Sequence, residues 1–257
     1  MTLEIEYGQA MIRMLELMWG EGYMTPGGTG LTDALVDGLD LAGKAVLDIG
    51  SGLGGPACHL ASKHDAFVTG VDIEPDLIER SNRRARQMGV QDSARFVLVQ
   101  PGPLPFEDDA FDVAITGGAL TQIAGKAEIF AEVLRVIRPG GALRSYEWTT
   151  NASEPSADMR YFFEMEGLTY ALETPATYNR LLLEAGFTDV RIVDDTPWYR
   201  RQVREEYERM RGELYPRMVE LLGETGADHF VEDWRSMVVV WESGELTQSV
   251  IRARKPA

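Results

Sequence analysis

A doubly wound α/β sheet is the fold class this sequence predicts, on two observations. Five short runs rich in valine, isoleucine, leucine and phenylalanine alternate with helical patterns between residues 45 and 147. Such alternation packs as a parallel sheet with helices on both faces. The first run, Ala45-Val46-Leu47-Asp48-Ile49, leads directly into Gly50-Ser51-Gly52-Leu53-Gly54-Gly55. Glycines there let the backbone turn tightly and approach a ligand, and the helix that follows offers unpaired N–H groups at its start.

The elements follow in order. Residues 3–20 carry Met11, Met14, Leu15 and Met18 at helical spacing and read as an amphipathic helix. Residues 20–30 form a glycine-rich loop, and Thr32 is placed as the N-cap of a helix over 32–39. Strands are expected near 45–49, 67–72, 94–99, 111–115 and 142–147, with helices near 54–64, 75–88 and 126–137. Beyond Trp148 the pattern changes. Residues 150–172 are mixed and aromatic, with Tyr161, Phe162, Phe163 and Tyr170, and receive no element. A helix over 175–185, a strand over 190–193, helical stretches over 198–222 and 227–241 and a last strand near 246–253 complete the chain. Its 257 residues suit a single domain. We divide it into a helical cap (1–40), a nucleotide-binding core (41–148), and lid insertions with the edge strand (149–245).

Bulk properties narrow the function. There are 41 acids against 25 bases, a net charge of −16. That balance disfavours nucleic acid, whose phosphates need a basic face, and anionic membrane surfaces. No apolar run approaches about 18 residues and no signal-peptide pattern opens the chain, so a cytoplasmic location is expected. The single cysteine, Cys58, falls in the helix after the glycine turn and reads as a small core residue. The three histidines and one cysteine show no metal-ligand spacing, so no metal is expected.

Gly50, Gly52 and Gly55 satisfy the dinucleotide pattern, which leaves the nucleotide open. Asp72 closes the second strand, where an acid binds a ribose diol in either of two families. A third motif decides: Leu104-Pro105-Phe106-Glu107-Asp108-Asp109-Ala110-Phe111-Asp112-Val113, then Val133-Leu134-Arg135-Val136-Ile137-Arg138-Pro139-Gly140-Gly141. This order resembles the class I S-adenosylmethionine (SAM)-dependent methyltransferases. The resemblance implies SAM as cofactor and a Rossmann-like seven-stranded sheet, mostly parallel with an antiparallel edge strand, under a helical lid. It implies Asp48, Gly50, Ser51 and Gly52 around the methionine end, and Asp72 with Ile73 at ribose and adenine. Gln100 and Pro101 fall near the adenine amino group, and Thr116 falls on the methyl-transfer cavity.

The segment from Tyr7 through Trp19-Gly20-Glu21-Gly22-Tyr23-Met24-Thr25-Pro26 to the glycine turn, and the closing block from Trp198 to Ala253, resemble the phosphoethanolamine N-methyltransferases and related small-metabolite enzymes. Carried over residue by residue, that family's substrate-closing tyrosine falls on Tyr7. Its partner histidine falls on Gln122, an Arg-Asp pair on Gly117-Gly118, and a phosphate-binding arginine near Leu168, with Tyr170 matching a neighbouring tyrosine. Without that arginine a phosphate loses its bidentate partner, so a smaller or less anionic acceptor than phosphoethanolamine is expected.

Tyr7, Gln122 and His229 are the candidates to orient or deprotonate the acceptor, and Tyr23, Trp148 and Tyr170 to bind it. Trp148 either stacks on a cationic centre or anchors the lid. Arg200, Arg201, Arg204 and Arg235 are candidates for a substrate carboxylate. His59 and His64 are not expected to be catalytic. An amine or thioether needs positioning and desolvation more than a base, whereas a hydroxyl or carbon acid needs a base or metal. The expected reaction is therefore N-methylation of a small soluble amine by in-line displacement. The alternatives are transfer to sulfur, oxygen or carbon of a thioether acid or natural product, a non-catalytic SAM-binding protein, and, more remotely, a nicotinamide-dependent oxidoreductase.

Overall fold

The computed structural model describes residues 8–257. Its centre is a seven-stranded sheet in the order β3-β2-β1-β4-β5-β7-β6, formed by β1 (Ala45–Ile49), β2 (Phe67–Asp72), β3 (Ala94–Leu98), β4 (Phe111–Gly117), β5 (Ile137–Thr150), β6 (Thr188–Asp194) and β7 (Leu246–Arg254). β1 to β5 pair in parallel, while β7 runs antiparallel to both β5 and β6. The doubly wound sheet with an antiparallel strand is therefore as expected. Its inner strands are apolar on both faces: Val46, Leu47 and Ile49 are at most 4% exposed, as a sheet covered on both sides requires. The strand order reverses between β1 and β4, which opens a crevice at their carboxyl ends.

Helices α2 (Gly28–Leu35), α3 (Gly55–Lys63), α6 (Ala157–Glu166), α8 (Thr196–Arg211) and α9 (Tyr215–Ser243) contribute to one core. α5 (Lys126–Val136) and α7 (Pro175–Ala185) build the other with the opposite sheet face. α1 (Gln9–Trp19) buries Met14, Leu15 and Met18 in the first core, and α4 (Pro75–Gln87) lies beside β2 and β3.

Four local expectations are corrected. Thr32 is not an N-cap: α2 begins at Gly28 with Gly27 as cap, and the Thr32 hydroxyl donates back to the Gly28 carbonyl at 3.1 Å. The cause is backbone geometry, since Gly27 sits at φ 91° with Leu31 packed where a Cβ would be. α6 was not expected. Ser156 starts it by accepting from the Met159 amide at 3.1 Å, and Met159 and Phe162 are buried against α9. The two long helical stretches break at residues 212–214 rather than 223–226. Gly223 instead kinks α9 from within, at φ 74° and ψ 166°. β5 also continues past residue 147 to Thr150, held by nine consecutive pairs with β7.

Candidate functional site

The glycine turn is tied to the end of β2. The Gly50 and Ser51 amides donate to the Val71 carbonyl at 2.9 and 3.0 Å, and the Gly52 amide donates to Asp72 Oδ2 at 2.9 Å. Asp72 Oδ1 accepts from the Glu74 amide at 3.0 Å, so both strand ends are locked in one register. Gly50 sits at φ 69°, and a Cβ there would lie 2.3 Å from Ala119 Cβ, so only glycine fits.

The loop over residues 20–25 folds onto this turn. Gly55 donates to the Gly22 carbonyl at 3.0 Å, the Tyr23 ring packs beside Gly55, and Met24 Sδ lies 2.9 Å from where a Gly52 Cβ would be. Thr25 approaches Gly118 at the end of β4. The walls of the crevice are thus the glycine turn, the β2 end, the β4 end and this loop.

Two buried polar atoms in the cradle have no protein partner, Asp48 Oδ2 and Ser51 Oγ. Both residues are at most 4% exposed. Burial, and then the neighbouring Asp72 charge, push the Asp48 carboxyl up to about 7. Orphaned buried groups of this kind ask for a ligand partner, and a methionine ammonium and carboxylate supply one. Exposed Ile73 and Leu98, the latter paired in register with Asp72, add an apolar rim, and Gln100 and Pro101 are also exposed beyond β3. The cradle therefore fits SAM. Leu98 was not among the sequence candidates; its signal is a large apolar residue at the carboxyl end of a strand.

Glu147 supports the β4 side. It is fully buried, and four donors converge on it: Ser145 Oγ (2.6 Å), Thr116 Oγ1 (3.2 Å), and the Thr121 amide and hydroxyl (3.1 Å each). Thr116, expected on the methyl-transfer cavity, thus turns its hydroxyl inward to Glu147. Burial raises the Glu147 carboxyl to about 7.

The remaining candidates separate in space. Gln122 caps the 3-10 turn that follows β4 (Ala119–Thr121). Tyr23 is 8% exposed, and burial raises its hydroxyl pKa. Trp148 lies at the centre of an aromatic cluster, stacked on Tyr170 at 5.8 Å and met edge-on by Tyr199 and Trp241. That packing is the lid-anchor arrangement weighed for it. His229 is exposed on α9, in a cleft of about 650 Å³ shared with Gly8, Met11 and Leu222 rather than at the strand ends. Tyr7 lies outside the described residues.

Among the arginines proposed for a carboxylate, Arg200 donates to the Trp241 carbonyl, and Arg204 and Arg235 are engaged by Glu242 and Glu232. Cys58 is fully buried, with burial pushing its thiol up to about 11, as a core residue should be.

One cluster was invisible in sequence spacing. α2 packs beside α3, and Asp33 Oδ1 meets the Nε2 atoms of both His59 and His64 at 2.8 Å, while Lys63 reaches Oδ2 at 2.6 Å. The sequence showed no metal-ligand spacing, yet these three side chains converge closely enough to hold an ion. Lys63 first, then the histidines, hold the Asp33 carboxyl far below its usual range. His64 caps the end of α3 furthest from the glycine turn, which keeps that pair of histidines off the transfer site.

The buried acids carry a pH signature. Asp48, Glu147 and Glu206 titrate near about 7 and Asp233 near about 9, all raised chiefly by burial. A raised folded pKa gives stability that is complete below an ordinary carboxylate pKa of about 4 and is lost as pH rises through the folded values. The melting temperature of the ligand-free protein is therefore expected to fall progressively from about pH 5 to about pH 9. A flat scanning-fluorimetry profile across that window would contradict these assignments.

Comparison with known proteins agrees with the geometry. The chain belongs to the methyltransferase domain family, which matches residues 40–186, and it is a class I SAM-dependent methyltransferase domain. Phosphoethanolamine N-methyltransferase 1 of Arabidopsis thaliana is 27% identical over 252 residues, covering 98% of this chain and 50% of that protein. The chain thus spans about half the length of such relatives. The 27-O-demethylrifamycin SV methyltransferase of Amycolatopsis mediterranei is 31% identical over 217 residues, 79% of this chain and 80% of that one. Among solved structures, phosphoethanolamine N-methyltransferase 2 of Haemonchus contortus, in complex with phosphomonomethylethanolamine and S-adenosylhomocysteine, shares the fold. Its TM-score is 0.88 at 21% identity, over 96% of this chain and 57% of that one. No described helix is long and apolar enough to cross a membrane.

Proposed function

We propose that this protein transfers the methyl group of SAM to the nitrogen of a small amine that carries no phosphate. What carries the reading is the near end-to-end likeness to N-methyltransferases: the Arabidopsis and wheat enzymes align over 98% and 95% of the chain. An acceptor without phosphate is supported by the resemblance, in which that family's phosphate-binding arginine falls near Leu168 and its Arg-Asp pair on Gly117-Gly118.

Held in this cradle, SAM would supply an electrophilic sulfonium methyl, which only an acceptor nitrogen presented without its proton could receive. The chain's own task is positioning and exclusion of water. Asp48 and Ser51 offer their unpartnered atoms to the methionine end, and Asp72 offers its carboxylate to the ribose diol. Asp72 also fixes Gly52, and Glu147 fixes the Thr116–Thr121 wall against which the acceptor lies. Gln122, on that wall, hydrogen-bonds the acceptor. Tyr7, on which the substrate-closing tyrosine of the resembling family falls, is the further candidate to orient the acceptor.

Oxygen transfer is the second reading, favoured by the 31% identity to the rifamycin enzyme. S-adenosylhomocysteine release against a panel of amines, amino acids, thioether acids, phenols and sugars tests both. Turnover with amines alone is the expected result. Turnover confined to hydroxyl acceptors overturns the nitrogen reading, and SAM binding without release from any acceptor would make the domain a binding module.

A further inference from the structure

Asp233 lies midway along α9 and is 1% exposed, yet its Oδ1 has no hydrogen-bond partner. The charge that reaches it is that of another acid, Glu166 at the end of α6. Glu166 accepts from the Tyr170 hydroxyl, and the Tyr170 ring stacks on Phe163 at 4.8 Å and on Trp148 at 5.8 Å. Trp148 is paired across β5 and β7 with Gln248, so both side chains point to the same face, beneath α8 and α9. Gln248 is 1% exposed, and both its amide atoms are unpartnered; so is the indole N–H of fully buried Trp241, which meets Trp148 edge-on. Asp233 and Glu166 thus meet where α6 packs on α9, at the edge of an aromatic cluster whose other side holds the unpartnered polar atoms of Gln248 and Trp241.

Among the described residues, the groups around this interior do not supply a counter-charge. From α8 come Tyr199 and Glu206, and Glu206 is itself an acid, occupied by the indoles of Trp19 (2.7 Å) and Trp234 (3.1 Å). Arg209 acts on Glu206 and donates to the Met18 carbonyl. Arg235, two residues from Asp233, is held by Glu232. A buried acid beside a half-buried one, with no cation between them, costs stability once ionised, and perturbed acids of this kind cluster at functional sites. Aromatic faces beside the pair favour an organic cation over a hydrated metal ion.

We propose that Asp233 and Glu166 form an ammonium-binding subsite beneath α6, α8 and α9, which receives a positively charged group of the methyl acceptor. This rests on the amine reading above and narrows it to small organic cations. The subsite selects by charge where the relatives' phosphate-binding arginine has no counterpart. Burial next to Glu166 raises the Asp233 carboxyl, to about 9, because nothing positive faces it while the subsite is unfilled. A bound ammonium reverses that.

The test separates cation binding from methyl transfer. Choline carries a quaternary nitrogen that cannot be methylated again. Its uncharged isostere has a tert-butyl group in place of the trimethylammonium. Both are titrated calorimetrically into the full chain saturated with S-adenosylhomocysteine. Wild type is expected to prefer choline by ~10-fold or more, the range of a desolvated cation on aromatic and carboxylate groups. Asp233→Asn and Glu166→Gln are each expected to abolish the preference while leaving the S-adenosylhomocysteine affinity unchanged.

Asp233→Asn is further expected to melt no lower than wild type near pH 7, where both side chains are neutral, and higher than wild type above about pH 9, where the wild-type carboxylate ionises beside Glu166; a purely structural Asp233 would give a lower melting temperature at both. Equal affinity for the two probes, no binding of either, or a preference that survives in both variants overturns the subsite. If amines turn over but the preference is missing, the subsite falls and the nitrogen reading stands. If the preference is present but only hydroxyl acceptors turn over, the nitrogen reading falls and the subsite stands.

Discussion

Replacing Asp72 with alanine is expected to weaken SAM binding by on the order of 100-fold, the equivalent of two charge-assisted hydrogen bonds of about 1.5 kcal/mol each. The carboxylate has two tasks that alanine cannot perform. It accepts from the Gly52 and Glu74 amides at 2.9 and 3.0 Å, which sets the shape of the glycine turn, and in the proposed SAM site it is the acceptor for the ribose diol. Burial leaves the Asp72 carboxyl raised, and the Glu74, Gly52 and Ile73 amides oppose that shift by favouring its charged form. Calorimetric titration of SAM reads the loss directly. Asp72→Asn separates the tasks: an amide keeps the size and one acceptor but loses the charge, so an intermediate loss is expected. Affinity unchanged in both variants would remove Asp72 from the cofactor site.

Glu147→Ala is expected to destabilise the fold by about 3–5 kcal/mol, because four buried donors lose their common acceptor. Glu147 joins β5 to the β4 end and the turn after it, so the damage reaches the crevice: Thr116 and Thr121 lose their tether on the wall that faces the acceptor. Denaturant unfolding measures the first effect, and a fall in turnover of the surviving folded fraction at saturating SAM measures the second. Glu147→Gln keeps the volume but turns one acceptor into a donor that faces other donors, and is expected to lie between wild type and alanine. A glutamine variant as stable as wild type would show that the neutral form already serves in the folded protein.

The parts of the fold legible in the sequence are those whose cause is local. Val46, Leu47 and Ile49 announce a strand covered on both faces, and Gly50 announces a turn only glycine can make, because both signals lie within a few residues. The parallel sheet followed from the alternation of strand and helix, while its seven strands and the cradle residues were implied by the methyltransferase resemblance. What escaped has causes spread along the chain. Thr32 has the chemistry of an N-cap, but the positive φ of Gly27 starts α2 earlier. α6 hides in a mixed aromatic stretch because its apolar residues gain their meaning from α9, which lies far ahead in sequence. Asp33, His59 and His64 look unrelated until two helices pack. Asp233 and Glu166 read as ordinary solvated acids, and only tertiary burial makes them conspicuous.

The most direct measurement follows the methyl group itself. The full chain is incubated with SAM labelled in the methyl carbon and with the small-amine panel, and the products are examined by nuclear magnetic resonance. Label on an amine nitrogen, lost together with SAM binding in Asp72→Ala, is the predicted result. Label on oxygen, sulfur or carbon, with every amine untouched, would contradict it.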